Sequence, residues 1–349
     1  MLSAYYLRQY GLEVQLIERG GIGRESSWAG GGIISPLYPW RYPSAVTKLA
    51  AWGQKQYPLL TKNIKDNTGI DPEYIVSGFL LLEVEDVIAA RNWAGKWGVR
   101  LTETDQAEIQ KLEPKLKKSY HTALWMPKVA QVRNPRLLLA LKTWLLQNEV
   151  EIIEQTEVLG LKVKNNKITS LKSKDGEIKV ERVLVAGGAW TSKILDKYKA
   201  NVNVSPVRGQ MIMYKTPPGF LNRITIMDQH YLIPRKDGRV LFGSTLEQAG
   251  FDKSTSSKVR DKLNQLATTV VPELSTMPIE RHWAGLRPGS PKGIPYIGRH
   301  PEIKNMFINA GHFRNGVVLG PASAKLIAQI ITGNDLIMDK TPYSIKPKL

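Results

Sequence analysis

The chain opens MLSAYYLRQYGLEVQLIERG (Met1–Gly20), and the reading of these twenty residues decides the fold. Leu2, Tyr5, Tyr6 and Leu7 recur near helical spacing, and Gly11 is placed to end a helix. VQLIE, Val14–Glu18, then has the apolar run of a buried strand closing on an acid. A helix passing so quickly into a strand that ends in Glu is the second half of a dinucleotide-binding βαβ unit. In such a unit the terminal carboxylate hydrogen-bonds ribose hydroxyls, although a strand ending in Glu is more often simply solvated there. The strand and GxGxxG loop that open the unit are expected to precede residue 1.

The flanking residues give Glu18 its context. RGGIGRESSWAGGGIISP, Arg19–Pro36, holds six glycines between Gly20 and Gly32. Glycine at that density belongs where backbone must approach something closely or turn with positive φ. Trp28, Ile33 and Ile34 argue against a flexible linker, which avoids large apolar groups. Farther along, the periodicity predicts helices over 44–67, 89–98 and 134–150. Asn134 is expected to cap the last of these, with Pro135 in its first turn. SGFLLLEVE (77–85) reads as a strand. Residues 151–173 read as an alternating meander turning at Asn165-Asn166. RVLVAGGAW (182–190) is a buried strand entering a glycine turn. Residues 202–247 are β-rich, with a hairpin at Lys236-Asp237-Gly238. After a polar stretch and a helix, NMFINAG reads as a strand. HFRNGVVLGPASAKLIAQIITG reads as a loop opening a helix that Gly333 caps.

Composition narrows the chemistry. The 349 residues include no Cys, which excludes disulfides, thiolate metal sites and cysteine-linked flavin. Five scattered His make a zinc centre a poor expectation, and no metal ligand is assigned. The net charge of +18 is spread over lysines such as Lys162, Lys164, Lys167, Lys172, Lys174 and Lys179. Their alternation with apolar residues suggests solvated strand faces. No helix-turn-helix, RNP or zinc pattern points to nucleic acid. No apolar run is long enough for a bilayer, and no signal peptide is evident, so the expected location is the cytoplasm.

The motifs suggest binding more than acid–base catalysis. SSWAGGGI (26–33) could present backbone N–H groups and hydroxyls to a pyrophosphate or a ring. Gly187 and Gly188 offer a second close backbone approach, or only a packing turn. Arg287, in GLRPG, is expected in a rigid glycine-lined turn suited to bidentate carboxylate binding, although most arginines make surface ion pairs. Tyr231 could add a hydroxyl to the same carboxylate, or be a core tyrosine. Arg314 and Asn315 open the last helix, whose N-terminus favours an anion.

With these pieces in view, the chain resembles the glycine oxidases, within the D-amino-acid oxidase family of FAD-dependent amine oxidoreductases. The resemblance spans essentially the whole chain and rests on ESSWAGGGI, VLVAGGAW, PVRGQ, YLIPRKDGRVLFGST, RHWAGLRPGSPKGIPYIGRHP and AGHFRNGVVLGPA. It implies an α/β fold, α+β overall, with a Rossmann-like FAD domain lacking its first strand here and an antiparallel-sheet substrate domain. The FAD domain would be assembled from residues 1–72, 133–202 and 285–349, and the substrate domain from 73–132 and 203–284. FAD would be noncovalent, its ribose on Glu18 beside Arg19, its pyrophosphate and flavin against Ser26, Ser27, Gly31, Gly32 and Ile33. Val158 would meet the adenine, Gly187 and Gly188 would line the cofactor, and His312, Phe313, Arg314, Asn315, Gly316, Val317 and Val318 would wrap the pyrimidine edge. Arg287, Tyr231 and Arg314 would hold the substrate carboxylate.

The implied reaction oxidises glycine, sarcosine or a small D-amino acid to its imine by hydride transfer to the flavin, with dioxygen as acceptor and peroxide released. The imine could feed thiazole synthesis for thiamine. No side-chain base is required. Gln229 and Leu246 differ from the best-known glycine oxidases, which leaves substrate preference open. Without the opening strand, an interior slot and poor FAD binding are expected of a chain that starts at Met1. Two alternatives stand beside this reading: a dehydrogenase using another electron acceptor, and a cofactor-free remnant. The expected partners are a small amino acid and dioxygen, not nucleic acid or a membrane. Assembly into a homo-oligomer is left open.

Overall fold

The structure, a computed structural model, describes residues 1–347, so the last two residues of the expected final segment lie outside it. The opening helix is Leu2–Gln9. It buries Ala4, Tyr5, Tyr6 and Leu7 against the helices Asn134–Gln147 and Gly316–Thr332. Gly11 follows with a φ of 79°. The strand Gln15–Ile17 then pairs in parallel with Glu151–Ile153. This removes the first strand from the expected 151–173 meander. The meander itself runs Gly160–Lys164, Lys167–Ser173 and Gly176–Lys179. Asn165 and Asn166 both take positive φ (51° and 55°), as a tight two-residue hairpin demands. The six lysines named above are all exposed on or beside these strands.

A second ladder sets Val183–Val185 parallel to Met306–Ala310, with Tyr296–Arg299 antiparallel on its far side. Among the described residues the two ladders are not hydrogen-bonded to each other. Around them lie the helices Ser44–Thr68, Asn134–Gln147 and Gly316–Thr332, which share one apolar core. The hydroxyl of Tyr57, fully buried on the first of these, donates to the Val317 carbonyl at 2.8 Å and fixes the start of the last helix. That helix ends at Gly333 with φ 77°.

Two short pairs stand apart, Ile75–Val76 with Ala130–Gln131 and Ala200–Asn201 with Lys346–Pro347. The other strands build one eight-stranded sheet, drawn from residues 79–126 and 205–289. Its order is Ile279–Gly289, Ser205–Lys215, Arg239–Gly243, His230–Pro234, Ile224–Met227, Phe79–Leu82, Thr122–Met126 and Thr102–Asp105. It is mixed rather than purely antiparallel, because Ile224–Met227 runs parallel to Phe79–Leu82. Those two strands are not consecutive in the chain, so no hairpin forces them antiparallel. One face packs on the helix Ser257–Val270, whose cap is the Ser256 side chain accepting from the Val259 N–H. The other face carries Met211, Tyr231, Ile233 and Leu241 toward Leu37 and Tyr38. Among the described residues no helix is long and apolar enough to cross a membrane.

Candidate active site

Three glycine-bearing turns converge on one strand. Ile279–Gly289 packs against the one-turn helix Ser26–Ala29, the turn Gly188–Trp190 and the turn Phe313–Asn315. The expected turn at GLRPG is the end of this strand, with Val207 opposite Arg287 and Pro206 opposite Pro288. The strand lies at the sheet edge, where proline costs no ladder bond.

The first turn is a backbone loop clasped from outside. Asn134 does not cap its own helix. Its amide nitrogen donates to the Ser27 carbonyl at 2.8 Å. Trp283 Nε1 donates to the Ala29 carbonyl at 3.1 Å, Arg235 Nη2 to the Gly31 carbonyl at 2.8 Å, and the Val132 N–H to the Gly32 carbonyl at 2.9 Å. With these carbonyls satisfied, the N–H groups of Gly30, Gly31 and Gly32, which meet no acceptor among the described residues, form the polar edge the loop offers. Gly32 is irreplaceable there: its φ is 78°, and a Cβ would stand 2.0 Å from the Val132 oxygen. A Cβ on Gly31 would stand 2.5 Å from Ile233 and 3.3 Å from Tyr231, so the loop lies directly on the sheet. Ile33 leaves the loop through an antiparallel bridge to Gln131.

Glu18 and Arg19 lie at the end of the first strand. The Glu18 carboxylate accepts the Gly20 N–H at 3.0 Å. Its carbonyl accepts the Thr156 N–H at 2.9 Å, two residues before half-buried Val158. The Arg19 guanidinium lies 3.6 Å over the Trp190 ring and pairs with Glu25 at 3.1 Å. This joins the strand end to the Gly187–Gly188 turn. Gly187 is packed against Ile194, while the Cβ direction of Gly188 is open.

At the third turn, His312 Nε2 meets Ser323 Oγ at 2.8 Å, and burial pushes the imidazole pKa down to about 4. The ring is neutral at ordinary pH and bound to its own helix. Phe313 takes a φ of 46°. Arg314 Nη2 reaches the Gln229 carbonyl at 3.4 Å, linking the turn to the sheet. Asn315 is buried, and its amide nitrogen has no partner among the described residues. Gly316, Val317 and Val318 open a seventeen-residue helix whose positive end favours negative charge.

On the sheet face, Arg287 Nη2 donates to Ser244 Oγ at 2.6 Å and Nη1 to the Thr245 carbonyl at 3.1 Å. Tyr231, buried, has its hydroxyl 3.1 Å from the same Ser244 oxygen. Burial lowers the Arg287 pKa from the usual arginine value; Tyr231 opposes that shift and nearby Arg314 adds to it. Glu247, whose charge also acts on Arg287, is committed to Arg208 at 2.6 Å. Sequence reasoning assigned no role to Ser244, Arg235, Trp283 or Gly209. All four stand inside motifs that carry the resemblance, PVRGQ, YLIPRKDGRVLFGST and RHWAGLRPGSPKGIPYIGRHP, but nothing local marks a side chain that works across strands.

The surroundings fit a flavin dinucleotide: glycine N–H groups and a buried amide donor on Asn315 that meet no acceptor among the described residues, a helix N-terminus, and a carboxylate, Glu18, at the end of the first strand. A model of the FAD dependent oxidoreductase family matches residues 1–330, and the chain belongs to that family; FAD is its cofactor. The glycine oxidase of Pseudomonas aeruginosa is 45% identical over 345 residues, covering 99% of this chain and 95% of that protein. The glycine oxidase of Pseudomonas putida is 40% identical, covering 100% and 96%. The crystal structure of glycine oxidase from Geobacillus kaustophilus superposes with a TM-score of 0.94 at 26% identity, covering 99% of this chain and 95% of that one.

Proposed function

We propose that this chain oxidises glycine, sarcosine or a small D-amino acid to its imine, with dioxygen as the final acceptor and hydrogen peroxide as product. The observation that carries the reading is the pair formed by Arg287 and Tyr231 on the sheet face against which Gly31 lies. Two guanidinium groups, Arg287 and Arg314, and one phenol suit a small carboxylate, and the relatives named glycine oxidase agree with that choice.

In this reading the sheet strands of 73–132 and 203–284 form the substrate side, and 1–72, 133–202 and 285–349 the cofactor side. Glu18 and Arg19 take the ribose, and Val158 the adenine. Ser26, Ser27, Gly31, Gly32 and Ile33 line the pyrophosphate and flavin, with Gly187 and Gly188 at a second approach. His312, Phe313, Arg314, Asn315, Gly316, Val317 and Val318 border the pyrimidine edge. FAD, when bound, supplies the acceptor for the hydride from the substrate Cα. The protein's own part is to fix the carboxylate through Arg287, Tyr231 and Arg314, so that Cα is held in one orientation. No base is assigned: Glu247 is spent on Arg208 and His312 on Ser323. The amine therefore enters neutral. The glycine imine would be available to thiazole synthesis.

A panel of glycine, sarcosine, D-alanine and D-proline, with peroxide detection, tests the reading. Turnover of at least one with stoichiometric peroxide is expected. Reduction of the flavin without peroxide release would favour a dehydrogenase, and no reduction by any of them would remove the amine substrate.

A further inference from the structure

We propose that Ser244 is a positioning residue for the substrate carboxylate, holding Arg287 and Tyr231 in register and turning the Tyr231 proton toward the ligand. The proposal rests on the amine-oxidase reading and deepens it.

The path of the Arg287 side chain is the starting point. Arg287 sits on the edge strand Ile279–Gly289, while Ser244 and Thr245 continue the strand Arg239–Gly243, with Ser205–Lys215 between them. The side chain therefore crosses a whole strand before reaching its partners. It crosses at Gly209, where a Cβ would stand 2.0 Å from Nη1, 2.2 Å from Nη2 and 2.3 Å from Cζ. The guanidinium lies flat on a backbone that only glycine leaves bare. Two consecutive residues then fix its plane: the Ser244 hydroxyl takes Nη2 at 2.6 Å and the Thr245 carbonyl takes Nη1 at 3.1 Å. Thr245 is itself anchored, its hydroxyl accepting the Gln210 N–H at 2.8 Å. Two of the five guanidinium N–H groups are used this way. The others remain for a carboxylate.

Ser244 is buried, and its oxygen is shared by Arg287 at 2.6 Å and the Tyr231 hydroxyl at 3.1 Å. A serine oxygen can accept two hydrogen bonds or accept one and donate one. Without a carboxylate, the Tyr231 proton is satisfied on Ser244. When a carboxylate arrives, Tyr231 donates to it, and Ser244 keeps the bond from Arg287 while donating its own proton back to the Tyr231 oxygen. In the free state the Ser244 oxygen accepts both bonds, and no acceptor among the described residues takes its own proton. With a carboxylate bound, the donors of both hydroxyls are satisfied, which matters where an orphaned buried donor costs free energy. An alanine at 244 breaks the exchange and frees the guanidinium to swing.

The test compares Ser244→Ala, Ser244→Thr and wild type, all FAD-loaded. Acetate is titrated against the visible flavin absorption, and steady-state kinetics are measured with the best amino acid of the panel. Losing one charge-assisted bond predicts that S244A weakens acetate binding about tenfold and raises KM by a similar factor, with kcat changed less than about threefold. S244T, which keeps the hydroxyl, restores most of the acetate affinity. A thermal melt keeps the test informative: a merely structural role would lower Tm without this split between KM and kcat. Gly209→Ala, which displaces the guanidinium directly, is expected to weaken acetate at least as much. If acetate perturbs the wild-type flavin and S244A binds it equally well, the role of Ser244 is overturned while the carboxylate site stands. If acetate leaves the wild-type flavin unchanged, the carboxylate site fails and this role with it.

Discussion

Arg287 illustrates why residue type matters more than charge at this site. Its fork is set by Ser244 and Thr245, so the free N–H groups face a ligand in one plane. Lysine in its place offers a point charge on a flexible stem and has no second nitrogen for the Thr245 carbonyl. Arg287→Lys is expected to raise KM ten- to a hundredfold, about 1.5–3 kcal/mol for a charge-assisted pair, with a smaller change in kcat. Steady-state kinetics check this, and an unchanged KM would remove Arg287 from the carboxylate. Tyr231→Phe loses the hydroxyl that Ser244 orients, and about a tenfold weaker acetate affinity is expected in the same flavin titration.

Among the elements, the loop between Ser26 and Gly32 depends on donors supplied by distant strands and helices. Arg235 is the most exacting of these, being buried with no carboxylate partner among the described residues. Its pKa falls to about 10 through burial, and its bonds run to Gln131 Oε1 at 2.6 Å, Val132 O at 3.0 Å and Gly31 O at 2.8 Å. Arg235→Met strands those acceptors in the interior. A loss of about 3 kcal/mol in urea unfolding is expected, together with at least about tenfold weaker FAD binding by flavin fluorescence. Wild-type stability and FAD affinity in R235M would show that the clasp is dispensable. This bond explains which parts of the site were legible in the sequence. Glycine clusters, the Glu18 strand end and the last helix with its cap are local signals, and all appear where expected. Arg235, Ser244 and Gly209 act through strand register, which no local pattern encodes. Two readings failed for the same reason. Glu151–Ile153 looked like a meander strand but pairs with Gln15–Ile17, over a hundred residues away. GLRPG looked like a turn because Pro and Gly usually break strands, yet an edge strand facing Pro206 tolerates both.

For the whole molecule, the turns that follow the two parallel ladders meet the sheet on one strand, Ile279–Gly289, and acid should loosen that assembly. Burial lowers the pKa of His230, His282, His300 and His312, the last to about 4. The unfolded chain takes up protons on these groups near pH 6.5, before the folded one does. Stability is therefore fully present above about pH 6.5 and falls as the pH drops toward 4, where His312 protonates in the folded state too. His312 alone contributes on the order of 2–3 kcal/mol to that slope. Urea midpoints measured from pH 7 to 4 should fall, and fall less steeply in His312→Gln; a flat profile would contradict the buried neutral imidazoles. The central claim is that FAD lies between the Gly30–Gly32 loop and the Phe313–Val318 turn with Arg287 facing its reactive side, and a crystal structure of the FAD-loaded protein soaked in acetate tests it most directly. The account predicts flavin density against Gly31 and Asn315, and acetate bridging Arg287 and the Tyr231 hydroxyl above the ring. A flavin touching neither turn, or acetate bound away from Arg287, would contradict it.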